Sequence, residues 1–170
     1  MRNIQLFIKK LLKLYHRFLG LLLVALLLTV FVSIVPRFFG IKPFIVLSGS
    51  MEPEIHTGSM AYIHTKTDPY KIHSGDIITY KISDTVVTHR VIDETVTTVT
   101  TKGDANEEAD FSPVTRDNIV GKYLFSIPYL GYLYSYITTP FLFPVLVSLF
   151  VVELIISTIY QFISKKEEQT

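Results

Sequence analysis

"TVVTHRVI" (residues 85–92) alternates in a way that sets Val87, His89 and Val91 on one side of an extended segment. β-branched residues fill most of the other positions, so the run reads as a strand with one buried face. Outward from it the same texture continues. "FIVL", "MAYIHT", "DIITYKI", "TVTTVTTK" and "IVGKYLFSI" are short runs rich in Val, Ile, Thr and Tyr. "HSGD" (residues 73–76) and "KGDAN" (residues 102–106) have the composition of turns. No helix-period segment of useful length interrupts residues 44–125. The expectation is mainly β: an antiparallel sheet, barrel-like in outline, occupying residues 40–138.

Two apolar segments bracket this region. "LGLLLVALLLTVFVSIV" (residues 19–35) carries no charge and, with its flanking aromatics, reaches the roughly 20 residues that a bilayer-spanning helix needs. "PFLFPVLVSLFVVELIISTIYQFI" (residues 140–163) is also long enough, although it contains Glu153. A lone acid in such a segment is costly and is expected to face protein or a polar region. Hydrophobic residues make up 49% of the chain and mean hydropathy is +0.39, high for a domain wholly in water. The first segment could also be a cleaved leader, but it is long for one, and "SIVPRFFG" offers no small-x-small cleavage site.

Charge placement gives an orientation. Arg2, Lys9, Lys10, Lys13 and Arg17 precede the first segment, and Lys165 and Lys166 follow the second. Both termini are therefore expected in the cytoplasm, with the middle exported. The resulting organisation is residues 1–18 as a basic cytoplasmic N-terminus and 19–39 as a first transmembrane helix. Residues 40–138 form an extracytoplasmic domain, 139–163 a second transmembrane helix and 164–170 a cytoplasmic C-terminus. The middle region, residues 41–138, carries eight basic against twelve acidic residues, a net charge of −4, which disfavours nucleic acid as a partner. The chain has no cysteine, so disulfides, thiolate catalysis and cysteine-based zinc sites are excluded.

The chemistry-bearing residues are ambiguous singly. His56, His64, His73 and His89 fit no familiar zinc spacing, and no metal or other cofactor is expected. His89, on an apolar strand face, reads by itself first as a packed core histidine; partial desolvation would also favour its neutral, proton-accepting form. Ser48 and Ser50 in "VLSGSMEPEI" (residues 46–55) read as a polar turn. Asp104 and Asp110 in "KGDANEEAD" (residues 102–110) read as solvated loop acids.

Their order along the chain is more specific. "SGSMEP", "SGDIITYK", "THRVI", "TKGDAN" and "VGKYLFSIPYLG" together resemble, in sequence order, the conserved boxes of the type I signal peptidases. Bacterial-type members carry lysine where this chain has His89. Histidine there is similar to the endoplasmic-reticulum-type branch, found in eukaryotes, archaea and some Gram-positive bacteria. The resemblance implies a membrane-bound serine endopeptidase, with Ser50 as nucleophile and His89 as general base. It implies two acids, Asp110 and Asp104, with the direct imidazole contact leaning to Asp110 and Asp104 also essential, for the loop. It implies an oxyanion hole built from the Ser50 N–H and the Ser48 hydroxyl. The partners implied are secretory preproteins and the lipid bilayer, with secretion machinery or accessory subunits in some members. The rival expectation is a catalytically inactive β module, anchored in the membrane, that only binds exported chains. Eleven residues separate Phe39 from Ser50 and span at most about 36–40 Å, so the nucleophile is expected near the outer membrane surface.

Overall fold

The computed structural model describes residues 2–167. The last three residues of the expected cytoplasmic C-terminus, and Met1, lie outside the described residues. The chain divides into two compact units: residues 1–31 with 136–170, and residues 32–135.

The first unit is helical. Helix α1 runs Arg2–Phe38, well upstream of the expected start at residue 19. The basic stretch is built from Lys, Arg and Leu, which are good helix formers, so it continues the apolar helix instead of preceding it. Within α1, Leu14–Phe38 is long and apolar enough to cross a membrane. Helix α3 runs Leu142–Glu167, and its described apolar stretch, Phe143–Thr158, is shorter than a typical span. Glu153 meets His16 of α1, with Nδ1 2.6 Å from Oε1. The acid that the sequence marks as costly thus has a polar partner within its own unit.

The second unit is a seven-stranded sheet in the order β1-β2-β7-β3-β4-β5-β6, with every pairing antiparallel. The strands are β1 Ile41–Ile45, β2 Met60–His64, β3 Ile77–Ile82, β4 Thr85–Glu94, β5 Thr98–Lys102, β6 Val114–Thr115 and β7 Ile119–Ile127. Among the described residues the order ends on β1 and β6, so the hydrogen-bonded sheet stays open. A short helix, α2 (Leu130–Ile137), lies inside the region expected to be all β.

Period-two alternation sorts the side chains of β3 to opposite faces. Ile78 and Tyr80 join Ile72, Val91, Val99 and Val114 in one buried cluster. Ile77 joins Met51 and Ile55 in another. Burial of each such aliphatic side chain contributes about 1.5–3 kcal/mol. The tight β3–β4 hairpin sets Ile82 opposite Thr85, and hence Tyr80 opposite Val87 and Ile78 opposite His89. On the far side of β4, Val91 faces Thr101 of β5. His89, Tyr80 and Thr101 therefore share one face of three adjacent strands.

Candidate active site

Two consecutive residues of β4 point to opposite faces, and each takes its own aspartate. His89, 7% exposed, directs Nδ1 to Asp110 Oδ2 at 2.7 Å and Nε2 to Ser50 Oγ at 3.2 Å. Arg90 donates from Nε to Asp104 Oδ1 at 2.8 Å and from a terminal nitrogen to Asp104 Oδ2 at 2.6 Å. Of the two candidate acids, Asp110 is the one beside the imidazole, and Asp104 is in a bidentate pair with arginine.

Ser50 lies in the loop between β1 and β2. Met51, 2% exposed, and Ile55, 1% exposed, plug this loop into the second core cluster and so fix the residue just before Met51. Within the loop, Glu52 accepts the Thr57 N–H at 3.0 Å and contacts His56 Nδ1 at 2.5 Å. These hydrogen bonds, that from Thr57 first, hold the Glu52 carboxyl below its usual range. The loop after β5 closes on the same serine: the Ala105 N–H donates to the Ser50 carbonyl at 2.9 Å. Gly103 is needed for this approach, because a Cβ there would stand 2.6 Å from the Ser50 carbonyl oxygen. Arg90, which also donates to the Gly75 carbonyl at 3.0 Å, secures that loop through Asp104. Ser48 Oγ is 3.4 Å from Ser50 Oγ, at the exposed end of the group.

Asp110 is brought in by its backbone, whose N–H donates to the Thr101 carbonyl at 2.8 Å. Burial would raise its carboxyl, but hydrogen bonds from His89, Thr101 and Tyr80 outweigh burial and hold it below the usual carboxylate range. The Tyr80 hydroxyl is pushed up, by burial above all and by the Asp110 charge, so it stays protonated and acts as a donor. Sequence reasoning missed Tyr80 and Thr101. The alternation of "DIITYKI" marks Tyr80 as facing with Ile78, but only the β3–β4 register puts that face on the His89 side.

Ser50 and His89 line a cleft of about 690 Å³, together with Val46, Leu47, Ser48 and residues 85–88. β5 pairs with β4 only from Arg90 onward, so among the described residues Thr85–His89 has no strand partner on that side. β1 stands at the sheet's edge. Among the described residues no group of three or more His, Asp or Glu could hold a metal ion.

Hydroxyl, imidazole and carboxylate in series beside an open strand edge are the parts of a nucleophilic hydrolase with an extended substrate. Comparison with known proteins points to a peptidase family. The family described as signal peptidase, peptidase S26, matches residues 19–105. Signal peptidase I W of Bacillus subtilis (strain 168) is 41% identical over 99 residues, covering 55% of this chain and 52% of that protein. The signal peptidase complex catalytic subunit SEC11 of Schizophyllum commune is 32% identical over 117 residues, 52% of this chain and 60% of that protein. Its human counterpart SEC11C is 33% identical over 102 residues, 51% of this chain and 52% of that protein. The chain belongs to the peptidase S26 family of signal peptidases, and these relatives place it in the endoplasmic-reticulum-type branch. It spans about half the length of the curated relatives it matches. The matched residues include Ser48, Ser50, His89 and Asp104 and stop short of Asp110.

Proposed function

We propose that this protein is a membrane-anchored serine endopeptidase that removes signal peptides from exported preproteins. The observation that carries the reading is the series Ser50 Oγ–His89 Nε2 at 3.2 Å and His89 Nδ1–Asp110 Oδ2 at 2.7 Å. Neutral His89 accepts the Ser50 proton at Nε2 while Oγ attacks the scissile carbonyl. Asp110 holds the imidazole with its proton on Nδ1 and stabilises the imidazolium. The Ser50 N–H and the Ser48 hydroxyl bind the oxyanion. The imidazolium protonates the leaving amine, and the acyl-enzyme is hydrolysed by a water that His89 deprotonates. Asp104 serves the site indirectly, by tying the Gly103–Ala105 turn to Arg90 and so to the Ser50 carbonyl.

The substrate lies extended in the cleft against Thr85–Thr88, whose unpaired backbone groups suit an added strand. Small side chains at the first and third positions before the cut follow from the family resemblance. Residues 19–39 and 139–163 are the two membrane spans, with both termini cytoplasmic and residues 40–138 outside. The SEC11 relatives are named as subunits of a complex, which makes accessory subunits or secretion machinery reasonable partners here.

Co-expression with a secreted precursor tests the reading. Wild type should convert the precursor to its mature form, and Ser50→Ala and His89→Ala should leave it uncut. Equal processing by all three would refute it.

A further inference from the structure

Asp110 Oδ2 is the meeting point of three donors. His89 Nδ1 lies at 2.7 Å, the Thr101 hydroxyl at 2.5 Å and the Tyr80 hydroxyl at 2.8 Å. The two hydroxyls are themselves 3.1 Å apart. Thr101 is 0% and Tyr80 1% exposed. Neither hydroxyl is needed to fill the apolar cluster around Tyr80, since Val and Phe occupy nearly the same space as Thr and Tyr. A buried hydroxyl costs free energy unless it is hydrogen-bonded, and here Asp110 is the group that both reach.

We infer that Thr101 and Tyr80 are positioning residues for the proposed reaction: their hydroxyls fix the Asp110 carboxylate against His89 and share its negative charge. The inference rests on the Ser50–His89–Asp110 reading and extends it by two residues that never touch substrate. Sequence and register explain why the device forms. Tyr80 and His89 project from one face of paired strands, their rings meeting edge-on at 6.4 Å. Thr101 supplies both its side chain and, through its carbonyl, the anchor for the Asp110 backbone.

Two consequences can be separated. Without the hydroxyls the carboxylate is free to turn, so the imidazole is held less well and kcat falls while KM stays nearly unchanged. At the same time, charge that was shared among three donors is concentrated on the imidazole N–H. That favours imidazolium, so the acid limb of the pH–rate profile moves to higher pH. The groups facing the imidazole are Asp110, Tyr80 and Ser50. Arg90, the nearest cation along the strand, points to the other face and is paired with Asp104.

The test measures kcat and KM from pH 5 to 9 for the full chain in detergent micelles, with a fluorogenic signal-peptide substrate. Ser50→Ala sets the background. Thr101→Val should lower kcat about 10- to 100-fold, the range expected for loss of a hydrogen bond to a charged group. Tyr80→Phe should lower it less, and both should shift the acid limb upward. Thr101→Ser keeps the hydroxyl and should retain most of the rate although it loses a methyl group. A purely packing role predicts the reverse, with valine tolerated and serine damaging; that result would overturn the inference. So would wild-type rates and acid limbs in both Thr101→Val and Tyr80→Phe. Undiminished cleavage by Ser50→Ala would instead remove the catalytic reading beneath it.

Discussion

His89–Asp110 and Arg90–Asp104 are adjacent along β4 and opposite in character. The first pair is an imidazole with a carboxylate, beside the Ser50 hydroxyl and a cleft. The second is two permanent charges in a bidentate geometry on the other face, next to a turn that contacts the Ser50 backbone. A carboxylate beside imidazole can respond during a proton transfer. A carboxylate forked onto guanidinium fixes a shape, because arginine does not give up its proton. Two aspartates six residues apart thus have different partners, and mutation should separate their roles.

The largest expected effect is on the shared nucleophile and base. Ser50→Ala or His89→Ala should lower kcat/KM by at least about 10³-fold, with thermal stability near wild type. Asp110→Asn should follow, at about 10²- to 10⁴-fold, because an amide can present the wrong donor to Nδ1 and leave the imidazole misoriented. Asp104→Asn should behave differently. It strands a partly buried guanidinium and should cost about 1–3 kcal/mol of stability, read by thermal denaturation, with a smaller fall in rate. If Asp104→Asn lost more activity than Asp110→Asn while staying as stable as wild type, the division of labour between the two pairs would be wrong. The smallest effect should come from Glu52→Gln. The Glu52–His56 pair is solvent-exposed, and its loss should change processing by less than about fivefold.

The pH dependence sharpens the same contrast. Asp110 is depressed below the ordinary carboxylate value, so its ionised form contributes stability above about pH 3.9 and loses it only as pH falls through the lower folded-state value. It therefore stays anionic across the working range. Loss of activity on acidification should instead report protonation of the base that accepts the Ser50 proton. A rate that stays flat on acidification until Asp110 itself protonates would count against His89 as the base.

Parts of this arrangement were visible in the sequence, and the reasons for the rest are physical. The inner face of "TVVTHRVI" was legible because alternation on a single strand needs no partner: Val87, His89 and Val91 do share a face. The apolar part of α1 was legible because bilayer length is a one-dimensional property. Of the groups around His89, Ser50 and Asp110 came only through the family resemblance, and Tyr80 and Thr101 not at all, because their placement depends on register. Ser83 and Asp84 form the β3–β4 connection, with Ser83 at φ 52°, and lack the Asn-Gly signature that would have announced a two-residue hairpin. Without that register, Tyr80 had no stated neighbour. Asp104 and Asp110 looked alike because both lie in one polar loop. What distinguishes them is a backbone hydrogen bond from Asp110 to β5 and an arginine that the strand pleat turns away from histidine.

The central claim is that His89, held by Asp110, activates Ser50. The most direct measurement is intact-mass and peptide mapping of the full chain after exposure to a serine-directed fluorophosphonate. A single adduct on Ser50 is predicted in wild type, strongly slowed in His89→Ala and in Asp110→Asn, and little changed in Asp104→Asn at a temperature where that variant is folded. Labelling of Ser50 at the wild-type rate in His89→Ala, or an adduct on Ser48 in its place, would contradict the account.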